Sequence, residues 1–335
     1  MPALSVLDLA TVASGSTPAR ALADTTRLAV EAERLGYRRF WVAEHHAMPA
    51  VASSAPPVLI AHLAAATTDI RVGSGGVMLP NHSPLVVAEQ FATLEALHPG
   101  RIDLGLGRAP GTDPSTTRAL RRSAALGADT FPDDVVELIR YLADTDAPAT
   151  HPAANPGRGY LPEVWLLGSS LYSAQLAGLL GLPFAFAYHF SPGPLDAALE
   201  AYRANFRQGL LASPHTMVAV STLCAPTEEE ARWLAGPSAL SVLQLRTGRL
   251  APLPSPEEAA AYPFTDSEQA LVDQVTATHV VGDPSAVREG LEALIRRTGA
   301  DELILSTRAH SYEARLQSLE LIAALDLDCT EDPAA

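Results

Sequence analysis

Three short stretches of this chain hold residue types that can do chemistry. Glu44-His45-His46 sets a carboxylate beside two imidazoles, and an imidazole can act as base, proton donor or metal ligand near neutral pH. Adjacent side chains point in different directions, so one of the two histidines is expected to face a site; a hydrogen-bonded structural histidine is the other reading. Gly73, Gly75 and Gly76 fall within one β-rich run. Glycines inside a strand mark a bulge or a close approach. A flat ring system would need such a bare floor, and tight helix–strand packing would need it equally. Arg108 ends the run Arg101–Gly107, where a guanidinium suits bidentate phosphate binding. Gly168-Ser169-Ser170 precedes a helical pattern containing Ser173. Free N–H groups and hydroxyls at a helix start hold anions, although a serine N-cap has the same composition.

The elements that must carry these residues alternate along the chain. Strands are expected at Leu4–Asp8, Arg39–Ala43, Ile70–Gly76, Ile102–Gly107, Glu163–Gly168, Phe184–Tyr188, Met217–Leu223 and Glu302–Ser306. Helix starts at Thr17-Pro18, Ser83-Pro84 and Asp283-Pro284, with Gly36 and Gly299 as stops, fill the spaces between them. A final helix is expected from Tyr312 to Leu325. Eight strands alternating with helices predict a single (β/α)8 TIM barrel domain over residues 1–335, with insertions after strands four and seven. Residues 109–130 and 236–267 are those insertions, polar and proline-rich respectively, and lie where loops would cover a barrel mouth. An open doubly wound sheet is the competing architecture, but no glycine loop follows the first strand. In a barrel the fourth and fifth strands are neighbours, so Arg108 and the serine turn can close on one phosphate.

Composition narrows the partners. The formal net charge is −15 with no basic cluster, which argues against nucleic acid and anionic membrane surfaces. All 23 cationic side chains are arginine, so lysine Schiff-base chemistry is excluded. Two distant cysteines, Cys224 and Cys329, form neither a disulfide framework nor a metal cluster. With no signal-like N-terminus and no long apolar run, a cytoplasmic protein is expected. The string Gly105-Leu-Gly-Arg-Ala-Pro-Gly111 has dinucleotide-loop glycines, but Pro110 fits poorly with a helix starting there. The histidines at 45, 46, 62 and 82 prompt a metal-hydrolase reading, which the absence of a His-x-His pair after the first strand opposes.

Taken in order on consecutive strands, Glu44-His45-His46, the Val72–Pro80 run and the Gly100–Arg108 run resemble the bacterial luciferase-like flavin monooxygenases. The resemblance implies His45 as the active-site histidine, and a Gly75–Gly76 bond under the flavin ring as a non-proline cis peptide. It implies FMN phosphate held by Arg108, Ser170 and Ser173, with Gly168 and the Ser169 backbone completing the turn. It further implies reduced FMN from a diffusing flavin reductase, O2 and a small organic substrate, no metal, and a homodimer. Gly107 stands where luciferase has a reactive cysteine, so light emission is not implied. Within the family the likeness is to uncharacterised-type oxidoreductases and to aromatic polyketide tailoring enzymes, such as those of mensacarcin biosynthesis, and so to antibiotic biosynthesis. Two alternatives stay open: hydride transfer with F420 or FMN, and a flavin-binding protein without turnover.

Overall fold

The computed structural model describes residues 2–109, 114–120, 130–143, 152–190 and 193–327. Strands β1 (Ala3–Asp8), β2 (Arg39–Val42), β3 (Arg71–Met78), β4 (Ile102–Gly107), β5 (Glu163–Gly168), β6 (Phe184–Phe186), β7 (Thr216–Cys224) and β9 (Glu302–Ser306) all run parallel. The β6–β7 pairing closes them into an eight-stranded barrel. The expected (β/α)8 architecture is therefore the observed one.

Helices α1 (Pro18–Arg34), α2 (Pro56–Ala66), α3 (Pro84–Leu97), α6 (Leu171–Leu180), α7 (Leu195–Asn205), α11 (Pro284–Thr298) and α12 (Tyr312–Ala323) lie among the crossovers. Two of the three start signals cap as read: the Thr17 hydroxyl accepts from the Arg20 N–H, and the Asp283 carboxylate from that of Ala286, whereas α3 begins at Pro84 without a side-chain bond from Ser83. Gly299 ends α11 in the left-handed conformation.

Two expectations need correcting. A ninth strand, β8 (Val280–Gly282), pairs with the outer end of β7 and stands outside the barrel. Three residues following a turn carry too little alternation to be read as a strand. The second insertion is also not a loop throughout. Helix α8 (Glu228–Arg246) runs straight through Pro237, and α9 (Pro256–Ala260) and α10 (Asp266–Thr276) follow it. Proline inside a helix costs about 3 kcal/mol through its lost hydrogen bond. Leu240 and Leu243 offset this by packing against Ala259 and Val272. Of the first insertion, residues Pro114–Leu120 form helix α4, and α5 (Phe131–Leu142) follows later. Residues 110–113 and 121–129 of that insertion, with Arg121 and Arg122, lie outside the described residues, as does Cys329.

The barrel interior is layered. At its N-terminal end the Asp103 carboxylate accepts from Arg39 Nη1 (2.9 Å), Arg71 Nε (2.8 Å) and Trp41 Nε1 (2.8 Å), while Arg39 also pairs with Glu302 and Glu163. Above this ionic plug, Leu7, Trp41, Trp165, Ala185, Met217, Ala219 and Ile304 fill the centre. The larger apolar layer lies outside, between strands and helices. The open end, towards the strand C-termini, is what remains for a ligand.

Candidate active site at the barrel mouth

Gly75 forms part of the floor of the mouth, together with Leu7, Trp41, Leu167, Ala185, Ala187, Ala219, Ile304 and His189. A Cβ at Gly75 would meet Leu7 Cδ1 at 2.8 Å and Trp41 Cε3 at 3.1 Å, so the layer below leaves no room for a side chain. Gly76 is the extra residue where the β3–β4 register slips, and a Cβ there would lie 2.7 Å from the Gly105 carbonyl oxygen. The Gly75–Gly76 peptide bond is cis. Gly73 has a different task. Its missing Cβ makes room for Asp103 and the Trp41 indole N–H, so it serves interior packing rather than a ligand floor.

Glu44-His45-His46 follows β2 on the same rim. Glu44 is buried and accepts from His82 Nε2 (2.8 Å), His46 Nε2 (2.9 Å) and the Met78 N–H (3.0 Å). Burial pushes the Glu44 carboxyl up, but these three donors outweigh it and hold it below the usual carboxylate range. Glu44 thus ties the end of β2 to the end of β3. The His45 N–H donates to the Ser53 carbonyl (3.0 Å), and Ser53 Oγ in turn donates to the Ala43 carbonyl (2.5 Å). Ala47, next but one along, takes a left-handed φ of 55°. The rim is braced from outside, because Thr11 bridges to Val51 and Ala13 to Leu253. The segment between α8 and α9 therefore packs beside the loop that follows β1.

Two strands along the rim, Arg108 at the end of β4 stacks its guanidinium 4.4 Å from the Tyr172 ring centroid, on the first turn of α6. Stacking holds the planar fork by its face and leaves its edge donors for an anion. Ser170 is the N-cap residue of α6, and its Oγ lies 3.3 Å from that of Ser173. A side chain at Gly168 would overlap Ser173, so strand end and helix start abut there. Ser169 sits in the same turn. Arg108, Gly168, Ser169, Ser170 and Ser173 are thus brought together on one side of the mouth, as the strand order requires.

Sequence reasoning missed His189, just beyond β6, and Arg308, just beyond β9. The rule that singled out His45, a titratable side chain directly after a barrel strand, would have found both. Burial drives the His189 imidazole down to about 3, and His45, His279 and Arg308 act in the same direction. This folded value lies below the ordinary 6.5, so as pH falls the unfolded chain takes up the proton first. The associated stability is complete above about pH 6.5 and is lost as pH drops towards about 3. Urea midpoints should therefore decline from pH 6.5 to 4, and His189→Gln should flatten that decline. An unchanged slope in the variant would mean the ring is already charged in the folded protein.

A parallel barrel that carries an acid–imidazole cluster and an arginine–serine turn at the C-terminal ends of its strands has the layout of a barrel enzyme. Residues 3–302 match the family described as luciferase-like monooxygenase, and the chain belongs to that family. It is 48% identical to an Escherichia coli K12 protein named luciferase-like monooxygenase over 320 residues, 95% of each chain. It is 37% identical to the N-acetyl-S-alkylcysteine monooxygenase of Bacillus subtilis, covering 96% of this chain and 97% of that one. Among solved structures it superposes on apo-MsnO8 with a TM-score of 0.88 at 38% identity, covering 96% of this chain and 98% of that one.

Proposed function

We propose that this monooxygenase-family chain is the oxygenating half of a two-component system, binding reduced FMN made by a separate reductase and passing one atom of O2 to a small organic substrate. What carries the cofactor reading is the gathering of Arg108, Ser170 and Ser173 at the ends of β4 and β5, on the same rim as His45 after β2 and Gly75 in β3. The donors suit a phosphate, and the backbone at Gly75 and Gly76 presents no side chain of its own to a ring. Reduced FMN supplies the electrons for oxygen activation. The chain's residues bind and orient it: Arg108 and the two serine hydroxyls take the phosphate, and the α6 N-terminus adds backbone N–H groups. His45 holds or moves a proton at the reacting face, and the segment packed over the β1 loop excludes water. Aromatic polyketide intermediates are the first substrates to assay. S-alkyl thioethers are the second, by analogy with the Bacillus relative's name.

The homodimer reading draws on α2 and α3. Val58 on α2 is 73% exposed and Leu97 on α3 is 65% exposed, while the opposite faces of both helices fill the core. Apolar residues on both sides of a surface helix suit a second copy of the chain.

The cofactor reading is tested by fluorescence titration with FMN and with riboflavin, which lacks the phosphate. Arg108→Met should weaken FMN by about 10- to 100-fold, the worth of a charge-assisted hydrogen-bond pair, and leave riboflavin unchanged. Equal losses for both ligands would remove Arg108 from the phosphate site. Tighter binding of F420 than FMN would shift the enzyme to hydride transfer.

A further inference from the structure

Beside the mouth, between the outer ends of β7 and β8 and helices α8 and α10, lies a second cavity of about 500 Å³. Leu223, Ala235, Ala239, Val272 and Val281 supply apolar wall, and Arg308 and His279 supply polar groups. Such a volume accommodates a molecule of drug-like size. The mechanism above makes no use of it.

Arg308 differs from other arginines of the C-terminal third. Arg297 binds Asp196, Arg249 binds Glu268 and Arg315 binds Asp8. Arg308 pairs with no carboxylate among the described residues. One Nη donates to Ser241 Oγ (3.1 Å), and its buried Nε finds no acceptor. His279 is in the same condition: its ring hydrogen-bonds the His189 backbone, while its buried Nε2 has no partner. Asp273 and Gln269 also line the cavity, from α10, and Arg232 of α8 lies at its edge, paired with Glu228. A guanidinium whose Nε is buried without an acceptor and that has no counterion is costly, and an anion delivered by a ligand would relieve part of that cost. Ser241 fixes the fork from one side, so the remaining donors are already oriented.

The anion is not the FMN phosphate in the proposed pose. Arg308 follows β9, whereas the Arg108–serine turn lies between β4 and β5, on the far side of the closed strand order. His279 lines the cavity and hydrogen-bonds the His189 backbone, and His189 lines the floor of the mouth, so the two spaces adjoin at these residues. A ligand seated by its anionic end on Arg308 would have its apolar body between α8 and α10 and open on the catalytic face.

We propose that Arg308 and His279 form a carboxylate-binding subsite, so that the substrate is an organic acid with an apolar body. This rests on the monooxygenase reading for its role in turnover, but not for binding. The test is calorimetry on the FMN-loaded protein with acetate, 4-phenylbutyrate and decanoate, each against its neutral amide. At least one longer acid should bind ten times tighter than its amide or better. Arg308→Gln should erase that preference, and Arg308→Lys should keep part of it. FMN affinity, read by fluorescence, should stay within threefold in both variants. If no acid exceeds its amide by threefold in the unaltered protein, the subsite does not exist, whatever the variants do. If Arg308→Gln weakens FMN as strongly as the acid, the guanidinium belongs to the flavin and the proposal fails. Acid preference without any FMN binding would support the subsite and sink the flavin reading instead.

Discussion

Replacing His45 by alanine should lower monooxygenation turnover by about 100- to 1,000-fold while the FMN Kd moves by less than threefold, because general acid–base groups contribute about that much to rate and little to ground-state binding. The geometry motivates the split. His45 follows β2, two strands away from Arg108 after β4, and its backbone is pinned by Ser53 independently of its ring. Removing the imidazole therefore leaves the phosphate side of the pocket intact. The readout is incorporation of label from 18O2 into product at saturating reduced FMN, alongside a fluorescence titration of FMN. Turnover within threefold of the unaltered enzyme would transfer the proton role to another residue. A parallel rise in Kd would make His45 a binding group. His46→Ala should behave differently, since His46 is one of three donors holding Glu44. Its loss should loosen the β2–β3 rim and affect stability before rate.

How far the sequence reached depended on the range of the forces involved. Seven expected strands coincide with observed ones to within a residue or two, and Phe184–Tyr188 ends early at Phe186, because parallel strands buried on both faces impose their apolar composition locally. Thr17, Asp283 and Gly299 work as caps for the same reason. Gly236-Pro237 misled because breaker chemistry is local, whereas the α8–α9–α10 packing that overrides it joins residues up to 32 positions apart, such as Leu240 and Val272. The candidate site divided in the same manner. His45 and Arg108 were legible from their place after a strand. The Glu44–His82 bond spans 38 residues, and the isolation of Arg308 is a statement about what does not come near it. Neither is written in any short window of sequence. Gly73 carries a further lesson. Read beside Gly75 it extends a ligand floor, but the fold assigns it to the Trp41–Asp103 bond one layer down.

That bond belongs to the plug on which the site rests, and Asp103→Ala should be the most destabilising single change in the barrel. Asp103 and Arg39 are both 0% exposed. Removing the carboxylate strands donors from Arg39, Arg71 and Trp41 at once. Breaking a buried ion pair from one side costs about 3–5 kcal/mol, because the surviving charge stays in the interior without its counterion. Glu302 and Glu163 remain beside Arg39, which keeps the expected loss within that range rather than above it. Asp103→Asn should cost less, since an amide oxygen can still accept from one donor, although its NH2 faces guanidinium groups. Urea unfolding followed by tryptophan fluorescence measures the effect, and the signal is well placed because Trp41 and Trp165 meet edge-on in the same interior. A midpoint change worth less than about 1 kcal/mol would mean that water or the neighbouring glutamates replace the carboxylate, contrary to the usual cost of stranding a buried charge. In Asp103→Asn, if it folds, the FMN Kd should be unchanged, because the Leu7–Trp41–Ile304 layer lies between the plug and the mouth.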